Sequence, residues 1–156
     1  MTLDNTGLLA AMEKRRSIRV LKPAPDFDYG LIERILKKAM LVPSAFNMQS
    51  YRILHLKGQE NDRLWDMVED ALFKKIGAEK FEKTKMKEKI GGFRNGNGTL
   101  LFFEDEDVVE EKGNIAKSYK ETFPKWSQQG SGIIQYAIWL MLTAEGLAAS
   151  LQHYDN

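Results

Sequence analysis

Near the start of the chain Lys14, Arg15, Arg16 and Arg19 surround one hydroxyl, Ser17. Guanidinium forks make bidentate, charge-assisted hydrogen bonds and a serine adds a neutral donor, which is the combination a phosphate monoester dianion calls for. Cations that complement a helix C-terminus would look the same, and the cluster alone does not separate the two. A second stretch runs from Val42 to Tyr51 and reads Val-Pro-Ser-Ala-Phe-Asn-Met-Gln-Ser-Tyr. Ser44, Asn47, Gln49 and Ser50 give it mixed donors and acceptors, suited to a ligand edge that alternates carbonyl and imide groups. A helix-to-strand turn whose Asn and Ser serve local backbone groups is the plainer alternative.

Other chemistry is thinly represented. There is no cysteine, which excludes thiol nucleophiles, disulfides and cysteine metal sites and permits a reducing compartment. His55 and His153 are too few for a histidine-rich metal centre; His55 reads as a strand residue and His153 is better placed for function. Glu104-Asp105-Glu106-Asp107 lacks the spacing of a calcium loop and reads as the acidic start of a helix. Gly91 to Gly98 holds four glycines, yet a strand follows where a phosphate loop needs a helix, so a flexible turn is expected there.

Elements to carry these residues follow from the apolar spacing. A first helix is expected over about Asn5 to Arg16, capped by Thr2, Asp4 or Thr6, and then an extended Lys22-Pro23-Ala24-Pro25 connector. Asp26 or Asp28 would cap a helix from Tyr29 to Leu41, closed by Pro43, with a strand from Tyr51 to Lys57 beyond the polar loop. Gln59 to Phe73 reads as an amphipathic helix and Ala78 to Lys89 as an exposed, charged one. Thr99 to Glu104 reads as a strand, and Asp107 to Glu121 as a helix weakened at Gly113. The helix opened by Phe123 is apolar nearly all round, so it should be buried on most faces, inside the domain or against a second subunit. After Gly146 a short strand is expected from Leu147 to Gln152.

At 156 residues, 43% hydrophobic and 29% charged, the chain suits one domain with a real core, and no internal repeat divides it. A net charge of +1 gives no reason to expect a nucleic-acid or acidic-membrane partner. No stretch reaches transmembrane length and the first residues lack a signal-peptide pattern, which makes a cytoplasmic location the default expectation.

Three pieces in order, Arg15-Arg16-Ser17-Ile18-Arg19, Pro43-Ser44-Ala45-Phe46-Asn47-Met48-Gln49 and Gly146-Leu147-Ala148-Ala149-Ser150, resemble the FMN-dependent nitroreductase family. More narrowly, Phe123-Pro124-x-Trp126-Ser127-x-Gln129 with Ala149 to Tyr154 is similar to its subgroup of yeast fatty-acid-repression-mutant proteins and bacterial copper-induced nitroreductases. The resemblance implies an α+β fold, a three-layer α/β/α sandwich on a mainly antiparallel sheet, in an intertwined homodimer with FMN at the interface. Carried over by position, Arg15, Ser17 and Arg19 would hold the flavin's phosphate, ribityl chain and pyrimidine edge, assisted by Arg16. Pro43, Ser44, Asn47 and Gln49 would be presented by the partner subunit, and the backbone around Gln152, His153 and Tyr154 would approach the ring nitrogen that receives hydride. Phe123 and Trp126 would wall the substrate pocket or simply belong to the core. No side chain would act as a catalytic acid or base, and no metal is implied.

The implied reaction is ping-pong: NADH or NADPH passes hydride to the flavin, leaves, and a nitroaromatic or quinone-like acceptor takes its place. The family's chains continue with an arm that wraps the partner and basic residues that complete the phosphate site. Residues 1–156 are therefore expected to form a single nitroreductase-like domain lacking that C-terminal segment. A flavin-binding or structural dimer with a stress or lipid-signalling role and little turnover is the alternative.

Overall fold

The computed structural model describes residues 7–154. The proposed caps Thr2, Asp4 and Thr6, and the last two residues, lie outside the described residues. The fold is α+β: the described residues form seven helices and a small antiparallel sheet of two strands. Contacts gather the chain into two compact units, and each strand contributes residues to both.

The first unit takes residues 1–15, 28–54 and 101–146. Its helices are α1 (Leu8–Lys14), α2 (Tyr29–Ala39), α6 (Glu106–Ile115) and α7 (Phe123–Ala144), and α1, α2 and α6 all pack on α7. Asp28 caps α2 by accepting from the Gly30 amide at 2.9 Å, as its position before the apolar stripe requires. The stripe itself, Ile32, Ile35 and Ala39, is buried. Pro43 follows four residues after the last residue of α2, where its missing donor and fixed φ prevent continuation. Strand β1 (Tyr51–Leu56) starts next.

Helix α7 is covered unevenly within one protomer. Phe123, Ser127, Gly130, Ile134 and Ile138 form one buried stripe with helical spacing, while Gly132, Ile133 and Tyr136 stand exposed in the protomer. Leu140 is buried off that stripe, so within a single chain the helix is covered on more than one side and left open along part of its surface. The acidic run does open a helix. Asp105 caps α6 through the Val108 amide and pairs with Arg52 at 2.8 Å. That helix ends at Ile115 rather than continuing to Glu121, and a 3-10 segment, Lys117–Thr122, leads into α7.

The second unit takes residues 16–27, 55–100 and 147–156. Helix α3 (Gln59–Ile76) extends three residues past its expected end. The expected single helix over Ala78 to Lys89 is instead α4 (Ala78–Lys83) and α5 (Met86–Arg94), broken where Lys85 adopts a left-handed conformation at φ 50°. Trp65, Phe81, Ile90 and Phe93 form the core of these three helices. Gly91 and Gly92 lie in α5, so only the last part of the glycine-rich stretch turns into β2 (Thr99–Glu104). A polar chain crosses this core: the Trp65 indole donates to Thr99 Oγ1 (3.0 Å), Thr99 to Asn61 Oδ1 (2.6 Å), and the Asn61 amide to the Arg94 carbonyl (3.1 Å). It leaves buried Asn61 with both ends of its amide engaged. The expected strand after Gly146 is reduced to one parallel bridge, Ser17 to Ala149.

Candidate functional site

Within the second unit, the basic segment lies beside the segment that follows α7. The Ile18 amide donates to the Ala149 carbonyl at 3.1 Å, alongside the Ser17–Ala149 bridge, so two of the three sequence pieces meet through backbone. On its other side the Leu21 amide donates to the Gly92 carbonyl at 2.8 Å. A Cβ on Gly92 would fall 2.6 Å from the Arg19 carbonyl oxygen, so the absence of a side chain is what lets this segment approach α5. Backbone is thus fixed on both sides while Arg16, Ser17 and Arg19 remain exposed. None of the ion pairs among the described residues uses Arg15, Arg16 or Arg19.

Past Ala149, Gln152 donates to Ser150 Oγ and to the Leu151 carbonyl, both at 2.8 Å. His153 is exposed. Tyr154 sets its ring edge-on to Trp65 at 5.9 Å and anchors the segment to the core, and burial pushes its phenol above the usual value. What this segment offers a ligand is accordingly its backbone, the Gln152 amide and His153, with Tyr154 as the fastening.

Arg15 belongs to the first unit and ends α1 as its C-cap. Its guanidinium lies over the Trp139 ring of α7, 4.6 Å from the centroid, which orients the fork without consuming its charge. Trp139 was not marked by its sequence surroundings, being one apolar residue among many.

The polar loop, also in the first unit, is wound tightly. Ser44 is extended (φ −138°, ψ 153°), its Oγ accepts from the Gln49 amide at 3.0 Å, and its carbonyl accepts from the Asn47 amide at 2.9 Å. Phe46, Asn47 and Gln49 all adopt positive φ, at 53°, 51° and 50°. Left-handed backbone at three non-glycine residues in four costs on the order of 1–3 kcal/mol each. Strain of that kind persists only where the surroundings enforce it, and it concentrates at functional loops. Ser44 meets α7 at Gly130, where an added Cβ would lie 3.8 Å from the serine Cβ. Ser50 closes the loop by donating to Glu104 Oε2 at 2.7 Å, and Ser127 of α7 donates to the same oxygen at 2.6 Å. Both Glu104 Oε1 and the Tyr51 hydroxyl are buried and lack partners among the described residues. Burial, and then the Glu104 charge, raise the Tyr51 phenol above its ordinary value.

Phe46 turns outward and stacks on Trp126, with ring centroids 5.8 Å apart and planes 24° from parallel. Phe123 lies 5.3 Å and Tyr119 6.1 Å from the same ring. Of the two aromatic residues expected to wall a pocket, Phe123 is fully buried and supports the cluster from below, while Trp126 is half-buried. Phe46 and Tyr119 are the exposed members that sequence reasoning passed over. The signal for one was available: Tyr119, Phe123 and Trp126 are spaced as one helical face.

The whole chain, and the α+β fold that carries these segments, can be compared with known proteins. The model of the nitroreductase family matches residues 12–155, and the chain belongs to that family. It is thereby placed among oxidoreductases. Saccharomyces cerevisiae nitroreductase FRM2 is 30% identical over 155 residues, covering 95% of this chain and 74% of the relative. The nitroreductase CinD from Lactococcus lactis, solved in complex with chloramphenicol, superposes with a TM-score of 0.80 at 35% identity, over 96% of this chain and 75% of that one. CinD has also been solved with 4-nitrophenol, at 37% identity and a TM-score of 0.79, covering 96% of this chain and 74% of that one. Both narrower likenesses read from the sequence, to the yeast proteins and to the bacterial subgroup, agree with these matches.

Proposed function

We propose that this chain is a single-domain, cytoplasmic, homodimeric FMN enzyme that carries reducing equivalents from NADH or NADPH to nitroaromatic or quinone-like acceptors. The observation that carries the reading is the basic segment: three arginines free of carboxylate partners among the described residues, around Ser17, on backbone fixed from two sides. Its donor set fits the cofactor's phosphate, a dianion that guanidiniums and a hydroxyl satisfy together. Support for the acceptor class comes from CinD, whose solved complexes hold chloramphenicol and 4-nitrophenol.

When bound, FMN would supply the hydride chemistry that no side chain here provides. Arg15, Arg16, Ser17 and Arg19 would bind its phosphate and polar edge. Pro43, Ser44, Asn47 and Gln49 would face the ring from the partner subunit, their loop held in shape by the Ser44–Gln49 bond and by Ser50 on Glu104. Gln152, His153 and Tyr154 would position backbone near the ring, with Tyr154 fixed against Trp65. Phe123 would back the acceptor pocket and Trp126 line it.

A titration of the purified chain into FMN, followed by flavin fluorescence, tests the cofactor half of this reading. Saturable binding that weakens when salt screens the arginines is expected. Binding that is absent, or indifferent to salt, would count against the phosphate site.

A further inference from the structure

The aromatic cluster at the start of α7 is more than core. Its members divide sharply by exposure: Phe123 is 0% exposed, whereas Tyr119 is 50% and Phe46 57% exposed. Two aromatic rings are therefore left largely in solvent, standing on fully buried Phe123 and half-buried Trp126. Phe46 is held there at a local expense, since its φ of 53° and ψ of 25° are left-handed for a bulky residue without the side-chain hydrogen bonds that help Asn adopt this region. Several neighbours in the loop are tied down: Ser44 to the Gln49 amide, Met48 buried, Ser50 to Glu104. The Phe46 ring stays exposed and lies 24° from parallel to Trp126.

We propose that Phe46 and Tyr119, backed by Trp126, form a shelf that selects flat, electron-poor aromatic acceptors. The inference rests on the oxidoreductase reading above and goes beyond it by naming specificity-determining residues. The reasoning is electrostatic as well as apolar. Phenyl, phenol and indole faces carry partial negative charge, and a ring depleted by nitro groups presents the complementary positive face. An aliphatic or inorganic acceptor gains nothing from such a surface. One aromatic contact contributes about 0.5–1.5 kcal/mol beyond area burial, so each shelf residue should change acceptor affinity about two- to tenfold.

The test compares acceptors on the FMN-loaded chain. 4-Nitrophenol is the aromatic probe, and ferricyanide, which takes single electrons and has no ring to stack, is the reference. Phe46→Ala and Tyr119→Ala should each raise KM for 4-nitrophenol about two- to tenfold and leave ferricyanide kinetics and FMN affinity within twofold. Phe46→Tyr should restore the aromatic KM, and Phe46→Leu, which keeps apolar bulk, should not. Equal changes with both acceptors, no change with either, or rescue by Phe46→Leu would overturn the shelf. If the chain retains no flavin, or turns over neither acceptor, the decision passes to direct binding. Quenching of tryptophan fluorescence by 4-nitrophenol should then weaken two- to tenfold in Phe46→Ala. That result would sustain the shelf while the oxidoreductase reading fails, and quenching indifferent to Phe46 would overturn it.

Discussion

Arg19 is an exposed cation on a backbone packed closely against Gly92, and that combination sets what its loss should do. Since none of the ion pairs among the described residues uses it, truncation removes no ion pair of the fold. A charge-assisted bond to a phosphate is worth about 1.5–3 kcal/mol, so Arg19→Ala should lower FMN affinity about ten- to hundredfold with an unchanged melting temperature. Flavin fluorescence titration and a thermal melt measure the two separately; a lowered melting temperature with unaltered affinity would assign Arg19 to stability instead. Tyr51 makes a contrary case, a group whose effect lies in stability. Its phenol is held above the usual value of 10.0, by burial first and the Glu104 charge second. The unfolded chain therefore releases this proton at lower pH than the folded one, so the contribution is intact below pH 10 and is lost as pH rises past it. Denaturant melts across that range should show stability falling above pH 10, and less steeply in Tyr51→Phe; identical slopes would remove Tyr51 from the account.

Among the elements, α5 carries the clearest division between what a sequence displays and what it conceals. Its two glycines are adjacent and look alike, yet a Cβ on Gly91 would meet nothing within 4 Å while one on Gly92 would sit 2.6 Å from the Arg19 carbonyl. Gly92→Ala should force the basic segment outward, costing about 1–3 kcal/mol of stability and weakening FMN binding. Gly91→Ala should leave binding alone and gain a few tenths to one kcal/mol from helix propensity. Paired melts and FMN titrations would check this, and equal behaviour of the two variants would contradict the positioning role. The Asp28 cap, the α2 stripe and both strands were legible because cap chemistry and alternation are local. Which side of α7 stays open was not, because composition cannot say which faces a neighbour covers. Nor were the helix break at Lys85, set by a left-handed residue without a glycine, and the aromatic shelf, which forms only once Phe46 is brought to Trp126 across eighty residues of sequence. The proposed site residues were singled out through ordered motifs, whereas the residues packed around them, Gly92, Trp139, Glu104 and Tyr119, became visible only in three dimensions.

At the scale of the molecule, the described residues form two strands and seven helices of an α+β fold, and the chain belongs to the nitroreductase family. Exposed Gly132, Ile133 and Tyr136 give α7 an uncovered apolar strip, consistent with the proposed homodimer, in which the loop of one protomer would serve its partner's flavin. The chain spans about three quarters of the relatives it matches, including 74% of FRM2 and 75% of CinD. The central claim is that these residues suffice to hold FMN and pass reducing equivalents through it. Its most direct test loads the chain with FMN, removes the excess by gel filtration with light scattering, and adds NADH or NADPH without oxygen. The account predicts flavin bands eluting with a particle of two chains, bleaching with one of the nicotinamides and returning when a nitroaromatic is added. A particle that elutes colourless, or whose flavin bands ignore both nicotinamides, would contradict it.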